Sequence, residues 1–96
     1  MFLNKYINEF YLNLIYDNYE EDFINSLDEE NFIKISNLFK NNNFYFINDI
    51  YLNYLEIFNL DYEEVFNKLE ILKNKLGNNY NYIIGNDMRY LEFLMN

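Results

Sequence analysis

Apolar residues in this chain recur at every third or fourth position, in short blocks separated by Asn-rich breaks, and that spacing restricts the chain to short amphipathic helices. The clearest block is Val65, Leu69, Leu72 and Leu76, preceded by Asp61 and Glu64 in capping-box spacing and followed by Gly77 as a C-cap. Leu3, Tyr6, Ile7, Phe10, Leu14 and Ile15 predict a first helix over about 2–16, and Phe23 and Ile24 a short one over about 20–26. Ser26 or Asp28 starts the next helix, with Ser26 and Glu29 as its capping box. Its stripe is Phe32, Ile35, Leu38 and Phe39, and Asn41 to Asn43 stop it because Asn tolerates a left-handed backbone. A further stripe, Ile47, Ile50, Tyr51, Tyr54, Leu55 and Phe58, starts at Asn48 or Asp49 and ends near Asn59. Tyr80, Ile83 and Ile84 predict a short helix stopped by Gly85, and Met88, Leu91, Leu94 and Met95 a last helix over 87–95.

The expected fold is therefore all-α, a compact bundle of about six or seven short helices. Residues 44–47 and 80–84 are β-prone by residue type, and a two-stranded pairing between them is the alternative. At 96 residues the chain is expected to be one domain, 1–96. Within it, Leu27-Asp28-Glu29-Glu30 recurs as Leu60-Asp61-Tyr62-Glu63 at a spacing of 33, and Leu38 with Leu72 at 34. That spacing suits stacked helical hairpins, with 1–26 as a cap, 27–59 as a first unit and 60–96 as a second. Chance matches between helical hairpins of similar length are the competing explanation. The Trp, Gly, Ala and Pro positions of tetratricopeptide repeats are not met.

Chemistry is limited by what is absent. With no Cys and no His there are no disulfides, thiolate nucleophiles, imidazole ligands or imidazole bases, and no enzymatic activity is expected. Ser26 reads as a cap and Ser36 as a small helix residue without an activating base. The segment Asp17 to Asp22 lacks the central Gly and closing Glu of a calcium loop, so no metal and no cofactor are expected. Residues 1–16 are interrupted by Asn4, Lys5, Asn8, Glu9 and Asn13, which leaves no signal-peptide core, and no stretch has the length of a membrane span. The expected compartment is the cytoplasm.

Sixteen acidic residues against seven basic ones give a formal charge of -9, which opposes direct binding to nucleic acid or an anionic membrane and favours a basic protein partner. The carboxylates are concentrated. Asp17, Glu20, Glu21, Asp22, Asp28, Glu29 and Glu30 form one block without a cation, and Asp49, Glu56, Asp61, Glu63 and Glu64 another. Helix dipoles account for those at Asp28–Glu30 and Asp61–Glu64, less readily for Glu20 to Asp22. Carboxylates one helical turn, about 6 Å, apart resemble a row of backbone phosphates, so a basic nucleic-acid-binding protein is the expected partner. By size, acidity and an AT-rich codon bias the chain resembles in profile the small acidic inhibitors of phages and mobile elements, anti-CRISPR proteins among them, without an alignable motif. The resemblance implies inhibition by mimicry of DNA.

The same codon bias supplies Asn and Tyr without selection for binding. Phe10, Phe23, Phe32, Phe39, Phe58, Phe66 and Tyr54 read as core, while Tyr19, Tyr62 and Tyr45 sit where tyrosine serves interfaces. The expected site is Asp17, Tyr19, Glu20 to Asp22, Asp28 to Glu30 and Asp61 to Glu64. Lys68, Lys73 and Lys75 read as a solvated helix face. The alternative is a structural helical-repeat scaffold or a homodimer that uses the apolar and tyrosine face.

Overall fold

Two aspartates start the two longest helices: the Asp28 carboxylate accepts from the Asn31 amide at 2.9 Å and that of Asp61 from the Glu64 amide at 3.1 Å. The computed structural model describes residues 1–96 and contains helices and turns but no strand. In chain order these are a 3-10 segment (Phe2–Lys5), α1 (Glu9–Asn18), α2 (Glu21–Ser26), α3 (Glu29–Asn41), α4 (Ile47–Asn53), a second 3-10 segment (Leu55–Asn59), α5 (Tyr62–Leu76), α6 (Tyr80–Asn86) and a third 3-10 segment (Met88–Met95). The first 3-10 segment lies on α1, which packs on α4. Helix α3 touches α4, the second 3-10 segment and α5, and α5 continues into contacts with α6 and the third 3-10 segment. The order helix, short helix, 3-10 segment thus occurs at 29–59 and again at 62–95, which is a weaker statement than a superposable repeat.

One cluster of 22 buried apolar residues holds these elements together. Rings fill its centre: Phe32 lies 5.2 Å from Tyr51 and 5.1 Å from Phe58, and Phe39 lies 5.4 Å from Phe44. Ser36 is the one buried polar residue, and its hydroxyl accepts from the Tyr51 phenol at 3.0 Å. No buried side-chain polar atom lacks a partner.

Several local expectations are corrected. The helix expected over 2–16 is interrupted, because Asn8 accepts from the Tyr11 amide at 3.0 Å and starts α1 anew. Phe10 then faces solvent at 68% exposure, outside the core, and Phe66 is 37% exposed. Ser26 does not cap α3: its hydroxyl donates to the Phe23 carbonyl, and Asp28 caps instead. The helix expected to run through Tyr54 breaks there, at φ -136° and ψ 39°, because the Leu55 amide donates to the Tyr19 phenol oxygen at 3.1 Å rather than up the helix. The last helix is wound as 3-10, and its apolar residues Met88, Leu91 and Leu94 step by three, the period at which 3-10 side chains eclipse. The Asn stop is as read, with Asn43 at φ 61°, and so is the cap at Gly77, at φ 81°. The segments weighed as strands do meet, through the Phe44 and Tyr80 rings at 6.2 Å.

Gly85 lies inside α6 and does not end it. A Cβ at this position would meet the Tyr45 phenol, and the Phe46 ring at 3.0 Å. Gly85→Ala is expected to lower stability by about 1 kcal/mol, overpacking outweighing the gain in helix propensity. In a Tyr45→Ser background the loss should shrink, as read by urea denaturation.

Candidate functional site

Hydrogen bonds from two side chains bring the acidic blocks together. Tyr19, half-buried between α1 and α2, donates to Glu56 at 2.6 Å while accepting from the Leu55 amide. Asn31, in the first turn of α3, donates to the Phe58 and Leu60 carbonyls at 2.9 and 2.8 Å, just before Asp61 caps α5. The starts of α3 and α5 are therefore neighbours, and Tyr19 joins the first acidic block to the second 3-10 segment. Neither bond is foreshadowed by spacing. Asn31 in particular looks like an ordinary polar helix residue in the sequence.

Each expected site residue has a definite place. Asp17 is exposed on α1, and Glu20, Glu21 and Asp22 are exposed at the start of α2. Asp28 and Asp61 are exposed caps, with Glu63 and Glu64 exposed in the first turn of α5. Glu29 is half-buried, 2.8 Å from the Tyr6 hydroxyl and 3.5 Å from Lys5, and Glu30 lies 3.8 Å from Lys34. Tyr62 is half-buried against the Phe66 ring at 6.2 Å. Asp17, Glu20, Glu21, Asp22, Asp28, Asp61, Glu63 and Glu64 take part in no ion pair, so their charge faces water.

Apart from Lys5 and Lys34, which pair with Glu29 and Glu30, and Lys40, which pairs with no carboxylate, the cations are engaged elsewhere. Lys73 pairs with Glu70 at 3.1 Å and lies 5.2 Å from the centre of the Tyr80 ring. Lys75 lies over Phe93, Lys68 donates to the Asn96 carbonyl, and Arg89 grips Asp87 with two bonds of 2.8 Å. That grip holds the Asp87 carboxyl below the usual carboxylate range. No group of three or more acidic side chains is placed to hold a metal ion, and no helix is long and apolar enough to cross a membrane.

Two further surfaces stand out. An open groove of about 650 Å³ runs between α3 and α5, with Asn37 and Asn41 on one side and Tyr62 and Phe66 on the other. Tyr45 and Tyr82, exposed by 62% and 60%, stand with ring centres 6.0 Å apart at a tip that has no charged residue between Asn41 and Asn48 or between Leu76 and Asn86. Comparison with known protein families, curated proteins and solved structures gives no match.

Tyr19 therefore holds the fold as well as bordering the acidic surface. Burial, and then its bond to Glu56, push its phenol far above the ordinary tyrosine range, and burial raises Tyr51 as well. A raised folded-state pKa keeps the proton on, so this stability is complete below about pH 10, the unfolded tyrosine value, and declines as pH rises beyond it. Tyr19→Phe is expected to cost about 1–2 kcal/mol at neutral pH by orphaning the Leu55 amide, and to make the alkaline decline shallower. Urea midpoints at pH 7 and above pH 10 check both. Asn31→Ala should cost about 2 kcal/mol, because two backbone carbonyls lose their donor.

Proposed function

We propose that this protein is a non-catalytic binding module whose acidic helix starts engage a basic surface on another protein, occupying a site that otherwise receives a nucleic-acid backbone. The supporting observation is the set of eight unpaired, exposed carboxylates at the starts of α2, α3 and α5 and on α1, with α3 and α5 drawn together by Asn31. Charges left unpaired in water keep their long-range field, and a net charge of -9 concentrated at helix starts attracts a cationic cleft before contact is made. A cytoplasmic, nucleic-acid-handling target accords with this reading, and so does inhibition by DNA mimicry, as in anti-CRISPR proteins.

A second reading, a scaffold or homodimer, draws on the Tyr45 and Tyr82 tip. Tyrosine in segments that themselves carry no charge provides contact area at small entropic cost, and two copies of an acidic chain repel least where carboxylates are absent. Salt separates the two readings. Rim binding weakens steeply as salt rises, whereas contact through the tip does not.

The test compares wild type with a variant carrying Glu20→Gln, Glu21→Gln, Glu63→Gln and Glu64→Gln in pull-downs from nuclease-treated lysate of the source organism or its host. The expected result is a basic nucleic-acid-handling protein held by wild type, released by moderate salt and missed by the variant. Equal capture by both proteins overturns the acidic surface as the binding face. A dimer that survives high salt in analytical ultracentrifugation moves the function to the tyrosine tip.

A further inference from the structure

The groove between α3 and α5 combines features that neither charge nor core packing requires. The two helices run side by side in the same direction. Near their starts Asn31 bonds the carbonyls of Phe58 and Leu60, and near their ends Tyr80 donates to Asn42 at 2.8 Å while Lys73 lies over the Tyr80 ring. Asn37 and Asn41 line the groove from α3, both exposed and neither side chain bonded within the protein, in contrast to Asn31 and Asn42. Four residues apart, they rise about 6 Å along the helix, close to the repeat of about 6.6 Å between alternate residues of an extended chain. A carboxamide offers a donor and an acceptor together, which is what a peptide unit presents.

The facing wall supplies the other half of a peptide site. Tyr62 and Phe66 lie one turn apart on α5 with tilted rings whose centres are 6.2 Å apart, and Phe66 is 37% exposed although it belongs to a residue type that cores normally absorb. The groove's cations are neutralised, Lys34 by Glu30 at 3.8 Å and Lys73 by Glu70 at 3.1 Å. Glu63 is the charge in the groove that has no ion-pair partner.

We propose that this groove binds an extended peptide segment, with Asn37 and Asn41 bonding its backbone, an apolar side chain resting on Tyr62 and Phe66, and a neighbouring basic side chain paired with Glu63. The positive charge of the segment rests on the reading of a basic partner given above; Tyr62 and Glu63 belong to both the acidic rim and the groove, while Asn37, Asn41 and Phe66 belong to the groove alone.

The experiment selects from a random displayed library of eight-residue peptides on the full chain, then measures the enriched peptides by fluorescence polarisation. Enriched sequences are expected to pair an apolar with a basic residue. Affinity should fall about tenfold or more in Asn37→Ala/Asn41→Ala and in Phe66→Ser, and in Glu9→Gln, outside both groove and rim, it should stay unchanged, a tenfold loss corresponding to about 1.4 kcal/mol. All these positions are exposed, and thermal melts verify that the variants fold. No enrichment, or enriched peptides that bind Asn37→Ala/Asn41→Ala as tightly as wild type, overturns the groove and leaves the rim reading standing. Loss confined to Glu20→Gln/Glu21→Gln also overturns it, because the peptides then sit on the rim. Enriched peptides that use the groove but lack basic residues keep the site and overturn its assignment to a basic partner.

Discussion

Phe32 makes ring contact with four aromatic residues that come from different parts of the chain. Phe2 and Tyr6 approach from the amino-terminal segment at 5.5 and 5.6 Å, Tyr51 from α4 at 5.2 Å and Phe58 from the second 3-10 segment at 5.1 Å. None of these elements is long enough to be stable as an isolated helix, so their conformation is inherited from packing. Flat, stiff rings suit that role: each buries a large area while losing few rotamers, and edge and tilted contacts add to the burial. The high aromatic content that codon bias supplies is thus put to structural use at the centre of the molecule.

Around that centre, a few polar side chains decide where helices stop and how segments are joined. Tyr19 takes the Leu55 amide out of the helical ladder and so creates the boundary between α4 and the following 3-10 segment. Asn31 ties the start of α3 to the carbonyls that precede α5. Both bonds also organise the acidic face, so positioning of charge and completion of the fold rest on the same atoms. The carboxylates nearest these junctions have their places fixed by backbone geometry, while their charge remains in water.

The sequence discloses best what depends on neighbours along the chain. Asp28, Asp61, Asn43 and Gly77 act as local signals because their side chains or backbone angles operate within one turn. Ser26 misleads for a related reason: a hydroxyl has several backbone partners within reach, and here it turns back to Phe23. Tyr19 and Asn31 are illegible in advance because their partners lie 27 to 37 residues away. Phe10 shows that a spacing pattern fails once Asn8 resets the helix phase. The acidic blocks are plain in the sequence, whereas the groove needs two helices to be placed side by side before Asn37 and Phe66 belong to one surface.

The third 3-10 segment has a consequence for how this chain can change over time. Three residues per turn puts Met88, Leu91 and Leu94 directly above one another, with Leu91 and Leu94 buried and Arg89, Tyr90 and Glu92 exposed. Selection on packing there acts with a strict triplet rhythm, in contrast to the alternating steps of α5. Diverging copies of this protein can drift freely at the exposed positions, whereas a single inserted or deleted residue throws the whole segment out of phase. In related chains the length of this segment will therefore be preserved more faithfully than its letters.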